Sequence, residues 1–218
     1  MNKQLQKASG VTLSVSSMAW CLLRLNVLFL IFCVPVVTAP AAAAAMNKVL
    51  MKVTRGDDPH VWRVFWTEFK SVFLKALIAG LILTVLAAAI GIIGYIAMIR
   101  GGFIGAMGVA IIIVFGLWLY VFACYLFVMI ATIELSLKDC IHNAALLALI
   151  EPKQNLFLLI PLVLMAACAA LFPISLPLLL FVMFSLCQFI VCTVVGKVIQ
   201  KRIITPHKTH FYNNVAEG

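Results

Sequence analysis

Residues 33 to 48 read CVPVVTAPAAAAAMNK, and the interpretation of this stretch decides how often the chain crosses a membrane. An apolar run that ends in small residues of the A-x-A type resembles the site at which a signal peptidase cleaves. The same residues can instead form a tight bend into an alanine-rich helix that stays attached to the chain. The two interpretations place the basic residues that follow on opposite sides of the membrane.

The composition of the whole chain is typical of an integral membrane protein. Of its 218 residues, 65% are hydrophobic and 11% are charged, whereas soluble domains average about 45–50% apolar and about 25% charged residues. No charged residue occurs in 76–99, in 101–133 or in the 42 residues of 155–196. Because a helix needs about 20 apolar residues to cross the hydrocarbon core, the last interval holds two crossings, separated by the prolines of FPISLP (172–177).

The sequence therefore predicts an all-α, polytopic membrane helix bundle with about five transmembrane helices. The spans are expected at about 18–38, 76–99, 109–133, 156–175 and 177–195, in one membrane domain of residues 18–200. Amphipathic interfacial helices are expected at about 41–54, 59–75 and 137–150, and the first of these is either interfacial or re-entrant. A polar lead of residues 1–17 precedes the domain, and a cytoplasmic tail of residues 201–218 follows it.

The distribution of basic residues favours retention of the first apolar segment. Lys and Arg collect in the cytoplasmic loops of membrane proteins. Removal of the first segment would leave four spans and would export the basic stretch after the alanines together with the basic tail. If the segment is kept as a span, twelve of the sixteen Lys and Arg lie inside. We therefore expect the N-terminus outside and the C-terminus in the cytoplasm, with Arg24 reaching the interface as an anchor.

The same orientation bias accounts for the formal net charge of +9, so that this charge does not indicate nucleic-acid binding. The seven cysteines show no C-x-x-C spacing, and all but Cys140 lie in or beside apolar segments. Cysteine behaves there as a small apolar residue. We expect neither a disulfide framework nor a metal cluster, and no cofactor.

Enzymatic activity is not expected, because the second to fifth predicted spans contain no acidic or basic residue, and intramembrane catalysis usually relies on such residues. After the third span, Glu134 and Lys138 have the i,i+4 spacing of an ion pair on a helix surface, and His142 would extend that face. This pattern is typical of a solvated helix face. The alternative is a catalytic Glu134–His142 pair in a lipid-active enzyme.

A conduit through the bundle is not expected either, because no span carries a polar stripe. Thr84, Gln188 and Thr193 are isolated polar residues within apolar segments. Such residues commonly hydrogen-bond a neighbouring helix in a membrane.

Two amphipathic segments are candidate docking surfaces for a partner protein. In VWRVFWTEFKSVFLKAL (61–77), aromatic residues recur at i, i+3, i+7 and i+11 and predict an aromatic stripe at the level of the lipid headgroups. With the charged segment after the third span, the candidate docking residues are Trp62, Phe65, Phe69, Lys70, Phe73, Glu134, Lys138 and His142.

The alanine cluster is a candidate site of close helix packing, because small side chains let two helix backbones approach closely within a bilayer. Its residues are Pro40, Ala41, Ala42, Ala43, Ala44 and Ala45.

Taken together, residues 24–80 resemble the bacterial YesL-like membrane proteins. In that family an apolar segment with an asparagine leads to a proline, an alanine cluster, a basic stretch with Arg-Gly and a helix with the pattern F-K-x-x-F. The matching positions here are Asn26, Pro40, Ala41–Ala45, Arg55-Gly56, Phe65, Phe69, Lys70 and Phe73. The resemblance implies a protein of the bacterial cytoplasmic membrane with no established reaction, often encoded beside sugar importers and polysaccharide-degrading enzymes.

We therefore expect a non-enzymatic accessory membrane protein of a carbohydrate ABC-type importer or a polysaccharide-utilisation system. Its expected partners are membrane lipid and transporter subunits, with a homo-oligomer as a further option, and nucleic acid is not expected. The alternative is a small-molecule-binding transport component, comparable to the substrate-capturing subunits of vitamin importers. The lipid-active enzyme is the third hypothesis.

Overall fold

The computed structural model describes residues 15–55, 60–171 and 176–204. In these residues it has seven α-helices, namely α1 (Val15–Cys33), α2 (Ala39–Thr54), α3 (Val61–Arg100), α4 (Gly102–Thr132), α5 (Leu137–Ile150), α6 (Pro152–Leu171) and α7 (Leu176–Ile199). A 3-10 turn (Val36–Thr38) precedes α2, and a π-helical turn (Gln200–Ile204) extends α7. The predicted all-α helix bundle is confirmed. Most of the predicted polar lead, the FPISLP turn and most of the tail lie outside the described residues.

Four helical segments among the described residues are long and apolar enough to cross a membrane. They are Val36–Thr54, Val61–Arg100, Gly102–Thr132 and Met183–Ile204. A bent pair, Leu137–Ile150 with Pro152–Cys168, meets at 98° and would be a fifth crossing, whereas Ser17–Cys33 is a shorter apolar helix. The structure thus allows four or five crossings, and the predicted number of five equals the upper value. The crossing helices are not the same as those predicted, because α2 is long enough for a span whereas α1 is a shorter apolar helix.

The alanine-rich helix α2 occupies the centre of the bundle. It contacts α1, α3, α4 and α7, and ten of its sixteen residues are buried. Alanine favours this helix because it loses no side-chain entropy on folding, and its small size lets four neighbours approach. A helix lying on a membrane surface keeps one face toward headgroups and water, so the structure differs here from the interfacial segment predicted for 41–54.

The chain reverses between α1 and α2 over the stretch that resembles a cleavage site. The Thr38 amide donates to the Pro35 carbonyl at 2.9 Å, and the Thr38 hydroxyl contacts the carbonyls of Phe32 and Pro35. Pro40 follows in the first turn of α2, where a missing N–H costs no intrahelical hydrogen bond. As a result α1 ends at Cys33, five residues before the end predicted for the first span.

The contacts of α1 and α7 bring both described ends of the chain to one end of the bundle. Trp20 and Arg24 share a cavity with the start of α3, whereas Phe32 lies farther along α3, beside Phe69. Helix α1 therefore runs in the same direction as α3. Because α2 and α3 are antiparallel, α1 also runs antiparallel to α2. Helix α7 runs parallel to α2, since its residues 188 and 196 lie beside residues 47 and 51 of α2. We call this end the basic end, because it carries Lys52, Arg55, Arg63, Lys197, Lys201 and Arg202.

Helices α3 and α4 form an antiparallel pair that extends away from the basic end. Helix α3 has 40 residues and is about 60 Å long at 1.5 Å per residue, so the predicted interfacial helix 59–75 and span 76–99 are one continuous helix. Gly101 and Gly102 adopt φ values of 60° and 62° at the turn, where glycine is favoured. The last buried residue of α3 is Leu83, and the outer half exposes apolar side chains of the kind that lipid covers.

Helices α5 and α6 meet at a sharp bend, and a salt bridge joins that bend to the end of α7. Ser136 caps α5 by accepting a hydrogen bond from the Asp139 amide at 3.2 Å, and α5 has the bounds predicted for the third interfacial helix. At the bend, Glu151 Oε1 accepts from Arg202 Nε at 2.5 Å. The helices α6 and α7 correspond to the spans predicted at 156–175 and 177–195.

Candidate functional site

The aromatic stripe predicted on α3 divides into a buried part and an exposed part. Phe65 is fully buried and Phe69 is 8% exposed, and both rings contact Phe32 of α1, at centroid distances of 5.4 and 4.9 Å. Phe73 is half-buried and packs edge-on against Phe69 at 5.5 Å. These three phenylalanines hold α3 to the bundle, so the candidate docking surface on α3 does not include Phe65 or Phe69.

The exposed part of α3 is a stack of two indoles and a lysine. Trp62 and Trp66 are 60% and 37% exposed, and their rings stack with a centroid distance of 6.2 Å and an interplanar angle of 7°. Lys70 Nζ lies 4.5 Å from the centroid of the Trp66 ring, a cation–π distance. Trp66 was not among the predicted docking residues, although the i, i+4, i+8 spacing of Trp62, Trp66 and Lys70 marks a helix face.

A cavity beside this stack extends the exposed surface onto α1. It has a volume of about 590 Å³ and lies between α1 and the start of α3. Trp20 and Arg24 line it on α1, and Arg24 lies over the Trp20 ring at 4.9 Å. His60 and Trp62 line it on the other side. We call the surface formed by Trp20, Arg24, Trp62, Trp66 and Lys70 the aromatic–basic face.

The second predicted docking segment contributes exposed polar residues but no helix-surface ion pair. Glu134, Lys138 and His142 are all exposed. Because Ser136 caps α5, the helix begins at Leu137 and Glu134 precedes it in non-helical backbone. Glu134 and Lys138 therefore do not share a helix face, and the predicted i,i+4 pair is wrong. The salt bridges formed by the described residues are instead Lys48–Glu68, at 3.7 Å, and the Glu151–Arg202 pair.

Lys48 and Lys75 neutralise the carboxyl end of α4. Lys48 Nζ donates to the Ala131 carbonyl at 2.8 Å, and Lys75 Nζ donates to the Leu135 carbonyl just beyond the helix at 3.2 Å. The last carbonyls of a helix have no intrahelical partner and carry partial negative charge. The two lysines therefore have a structural role at this end of the bundle.

The alanine cluster packs within the bundle in the way that its helix-packing interpretation requires. Ala41, Ala42, Ala44 and Ala45 have no exposed surface, and Ala43 is half-buried. Pro40 lies against α3 at Gly80, where an added Cβ would be 2.2 Å from the proline Cγ. The missing side chain at Gly80 is therefore what lets the start of α2 lie against α3.

A buried polar cluster joins α2 to α7. Asn47 is fully buried. Its Oδ1 accepts a hydrogen bond from Gln188 Nε2 at 2.6 Å and another from the Cys192 thiol at 3.4 Å. The expectation of an interhelical hydrogen bond is thus confirmed for Gln188. It is wrong for Thr84 and Thr193, which donate to the carbonyls of Gly80 and Phe189 in their own helices.

The described residues contain no group of three or more His, Cys, Asp or Glu side chains that could hold a metal ion. The seven cysteines all lie in the described residues, and none of them forms a disulfide.

A comparison with models of protein families finds a match within the first half of the chain. Residues 22–99 match the model of a family described as "Protein of unknown function, DUF624". YesL-like proteins carry this domain, so the match is consistent with the resemblance drawn from the sequence. No curated protein and no solved structure matches the chain. The match begins within α1, includes α2 and ends one residue before the end of α3, so 78 of the 218 residues are similar to the DUF624 family.

Proposed function

We propose that this protein is a non-enzymatic accessory subunit of a membrane transport system and that it docks on a membrane-protein partner through the aromatic–basic face. The observation that carries the proposal is the exposed stack of Trp62, Trp66 and Lys70. Tryptophan and arginine are enriched among the residues that dominate binding energy at protein interfaces. Because the buried rings of Phe65 and Phe69 already hold the stack in place, it loses little side-chain entropy when a partner binds.

The fixed position of this face supports its use in binding. Beside the indoles on the same helix, Phe65 and Phe69 pack against Phe32, and ring stacking links Trp66 to Phe69 at 6.0 Å. The exposed indoles are therefore presented by a rigid element. The polar residues of α5, Lys138 and His142, offer a second exposed surface for the same partner.

The assignment to a carbohydrate importer or polysaccharide-utilisation system rests on the YesL-like resemblance alone, which is an association between families and not a property of the site. The bacterial cytoplasmic membrane as location is proposed on the same ground, together with the basic residues at one end of the bundle.

Co-purification tests the proposal. The tagged protein is extracted from its own membranes in a gentle detergent, and the captured membrane proteins are identified and quantified. We expect transporter subunits with the wild type, and at least about a tenfold loss in W62A/W66A. Phe103, which is 80% exposed at the far end of α3 and α4, supplies the control F103A, which should capture as much as the wild type. Equal capture by W62A/W66A, or capture of no transporter subunit, contradicts the proposal.

The cavity between α1 and α3 supports a second candidate function, a substrate-capturing transport component. Its volume of about 590 Å³ lies in the range of about 300–1,000 Å³ that small-molecule sites occupy. Two indoles, an arginine and a histidine line it together with apolar side chains. A soluble ligand that quenches tryptophan fluorescence in the wild type but not in W20F/W62F would favour this function over docking.

A further inference from the structure

A second cavity opens at the basic end of the bundle, separate from the aromatic–basic face. It has a volume of about 550 Å³ and lies between the carboxyl ends of α2, α4 and α7. Buried side chains of Met51, Cys192 and Ile199 line its apolar part. Its polar lining consists of Thr54, Arg55, Thr132, Thr193, Lys197, Gln200 and Lys201.

The three cations of this cavity are not neutralised by the described part of the chain. Arg55, Lys197 and Lys201 are exposed at its rim. No described carboxylate lines the cavity, and the two salt bridges among the described residues use other cations. Like charges that share one site repel each other, so an anion bound among them would be stabilised by all three.

The hydroxyl groups of the cavity offer acceptors rather than donors. The hydroxyls of Thr54, Thr132 and Thr193 donate to carbonyls of their own helices, at 2.9, 2.7 and 2.8 Å. Their oxygen lone pairs remain available to a ligand that brings its own donors. The cavity therefore suits a molecule that combines an anionic group with free hydroxyl groups.

Two of the cavity's cations lie on either side of the point where α7 passes into the π-helical turn at Gln200–Ile204. Arg202 points to the α5–α6 bend, where Glu151 binds it, whereas Lys197 and Lys201 both line the cavity. Irregular turns of this kind occur frequently at functional sites. Gly196 lets Met51 of α2 pack closely on α7 beside the cavity, since an added Cβ would lie 2.9 Å from Met51 Cε.

We propose that this cavity binds a phosphate ester that carries free hydroxyl groups. The phosphate contacts Arg55, Lys197 and Lys201, and the hydroxyls donate to the threonine oxygens. Two sources share this chemistry: the headgroup of phosphatidylglycerol in the membrane, and a soluble glycerol or sugar phosphate. Basic pockets between membrane helices are a known means of binding lipid phosphates. The proposal does not depend on the docking function.

The experiment uses the full-length protein in a neutral detergent and two probes. Phosphatidylglycerol and phosphatidylcholine compete for the protein in native mass spectrometry, and glycerol 3-phosphate is titrated by calorimetry. The variant K197Q/K201Q removes two cations of the cavity. The matched control R63Q/K153Q removes two exposed cations that do not line it. Gel filtration and thermal unfolding show that both variants are folded.

We expect the wild type to bind one of the probes, and K197Q/K201Q to bind it about a hundredfold more weakly, since each lost charged contact corresponds to about tenfold. The control should bind as the wild type does. Preference for phosphatidylglycerol over phosphatidylcholine identifies a lipid headgroup, and binding of glycerol 3-phosphate identifies a soluble ester. Failure of the wild type to bind either probe, or an equal loss in both variants, overturns the proposal.

Discussion

Two buried positions on and beside α2 determine how closely its neighbours approach. The ring of Pro40 packs against Gly80, and the side chain of Asn47 accepts hydrogen bonds from Gln188 and Cys192. The first contact depends on an absent side chain, and the second depends on a buried amide oxygen that accepts two hydrogen bonds. Both positions are therefore sensitive to substitutions that would be tolerated on the exposed surface of the same helices.

Gly80→Ala should destabilise the protein by about 1–3 kcal/mol, because the new methyl group would overlap the rigid ring of Pro40. The added Cβ would lie 2.2 Å from the ring Cγ and 2.6 Å from the ring Cβ. Gly91 on the same helix has nothing within 4 Å of an added Cβ, so Gly91→Ala should unfold like the wild type. Thermal unfolding in detergent compares them, and equal midpoints for the two variants would refute this packing.

Asn47→Leu should cost about 1–2 kcal/mol, because it leaves the Gln188 amide without its acceptor between α2 and α7. Replacing both partners by apolar groups of similar shape removes that penalty. The double variant N47L/Q188L should therefore be more stable than the sum of the two single losses indicates. A double-mutant cycle of unfolding free energies measures the coupling, and strict additivity would show that the hydrogen bond contributes nothing.

Helix α3 shows what the sequence could and could not predict at the level of an element. The 3.6-residue period correctly predicted an amphipathic aromatic helix, because periodicity follows from helix geometry. It could not show that α1 covers Phe65 and Phe69 and leaves Trp62 and Trp66 exposed, since that depends on a neighbour distant in the chain. In the same way, Lys48 and Lys52 suggested an interfacial α2, whereas Lys48 contacts Glu68 and the Ala131 carbonyl inside the bundle.

The junction of α1 with α3 depends on Phe32. Its ring contacts Phe65, Trp66 and Phe69 at 5.4, 5.5 and 4.9 Å, whereas the adjacent Ile31 is 57% exposed. We expect Phe32→Ala to lower the free energy of unfolding by about 3 kcal/mol, through lost burial and the cavity that remains. Ile31→Ala should change it by less than about 0.5 kcal/mol. A loss of similar size in both variants would mean that α1 does not pack on α3 in this way.

For the whole molecule, the contacts of α1 and α7 place the described ends of the chain together at the basic end. The charge count favoured an N-terminus outside because it treated residues 41–54 as lying on the membrane. If α1 crosses as well, α2 returns the chain to its starting side, and α1 is a sixth crossing beside the five that length and composition allow. Counting charges could not detect this crossing, because an alanine helix is barely apolar enough to stand out from an interfacial one.

We therefore expect both termini on the cytoplasmic side, and Arg100 at the α3–α4 turn on the outside, since basic residues favour the cytoplasm. Single cysteines in a cysteine-free background, introduced at position 17, at Gly102 and at position 204, can be labelled with an impermeant maleimide in intact cells. Only position 102 should react before the membrane is opened. Labelling of position 17 in intact cells would contradict this topology and would support an N-terminus outside.

The proposed docking function requires that the aromatic–basic face contacts a protein and not only lipid headgroups, where tryptophan is also common. A photo-crosslinking amino acid placed at position 66 in the native membrane tests it directly, with position 103, which lies on the lipid-exposed far end, as the comparison. We expect a crosslink from position 66 to a transporter subunit, and crosslinks from position 103 to lipid alone. Crosslinks to lipid alone from both positions would contradict it.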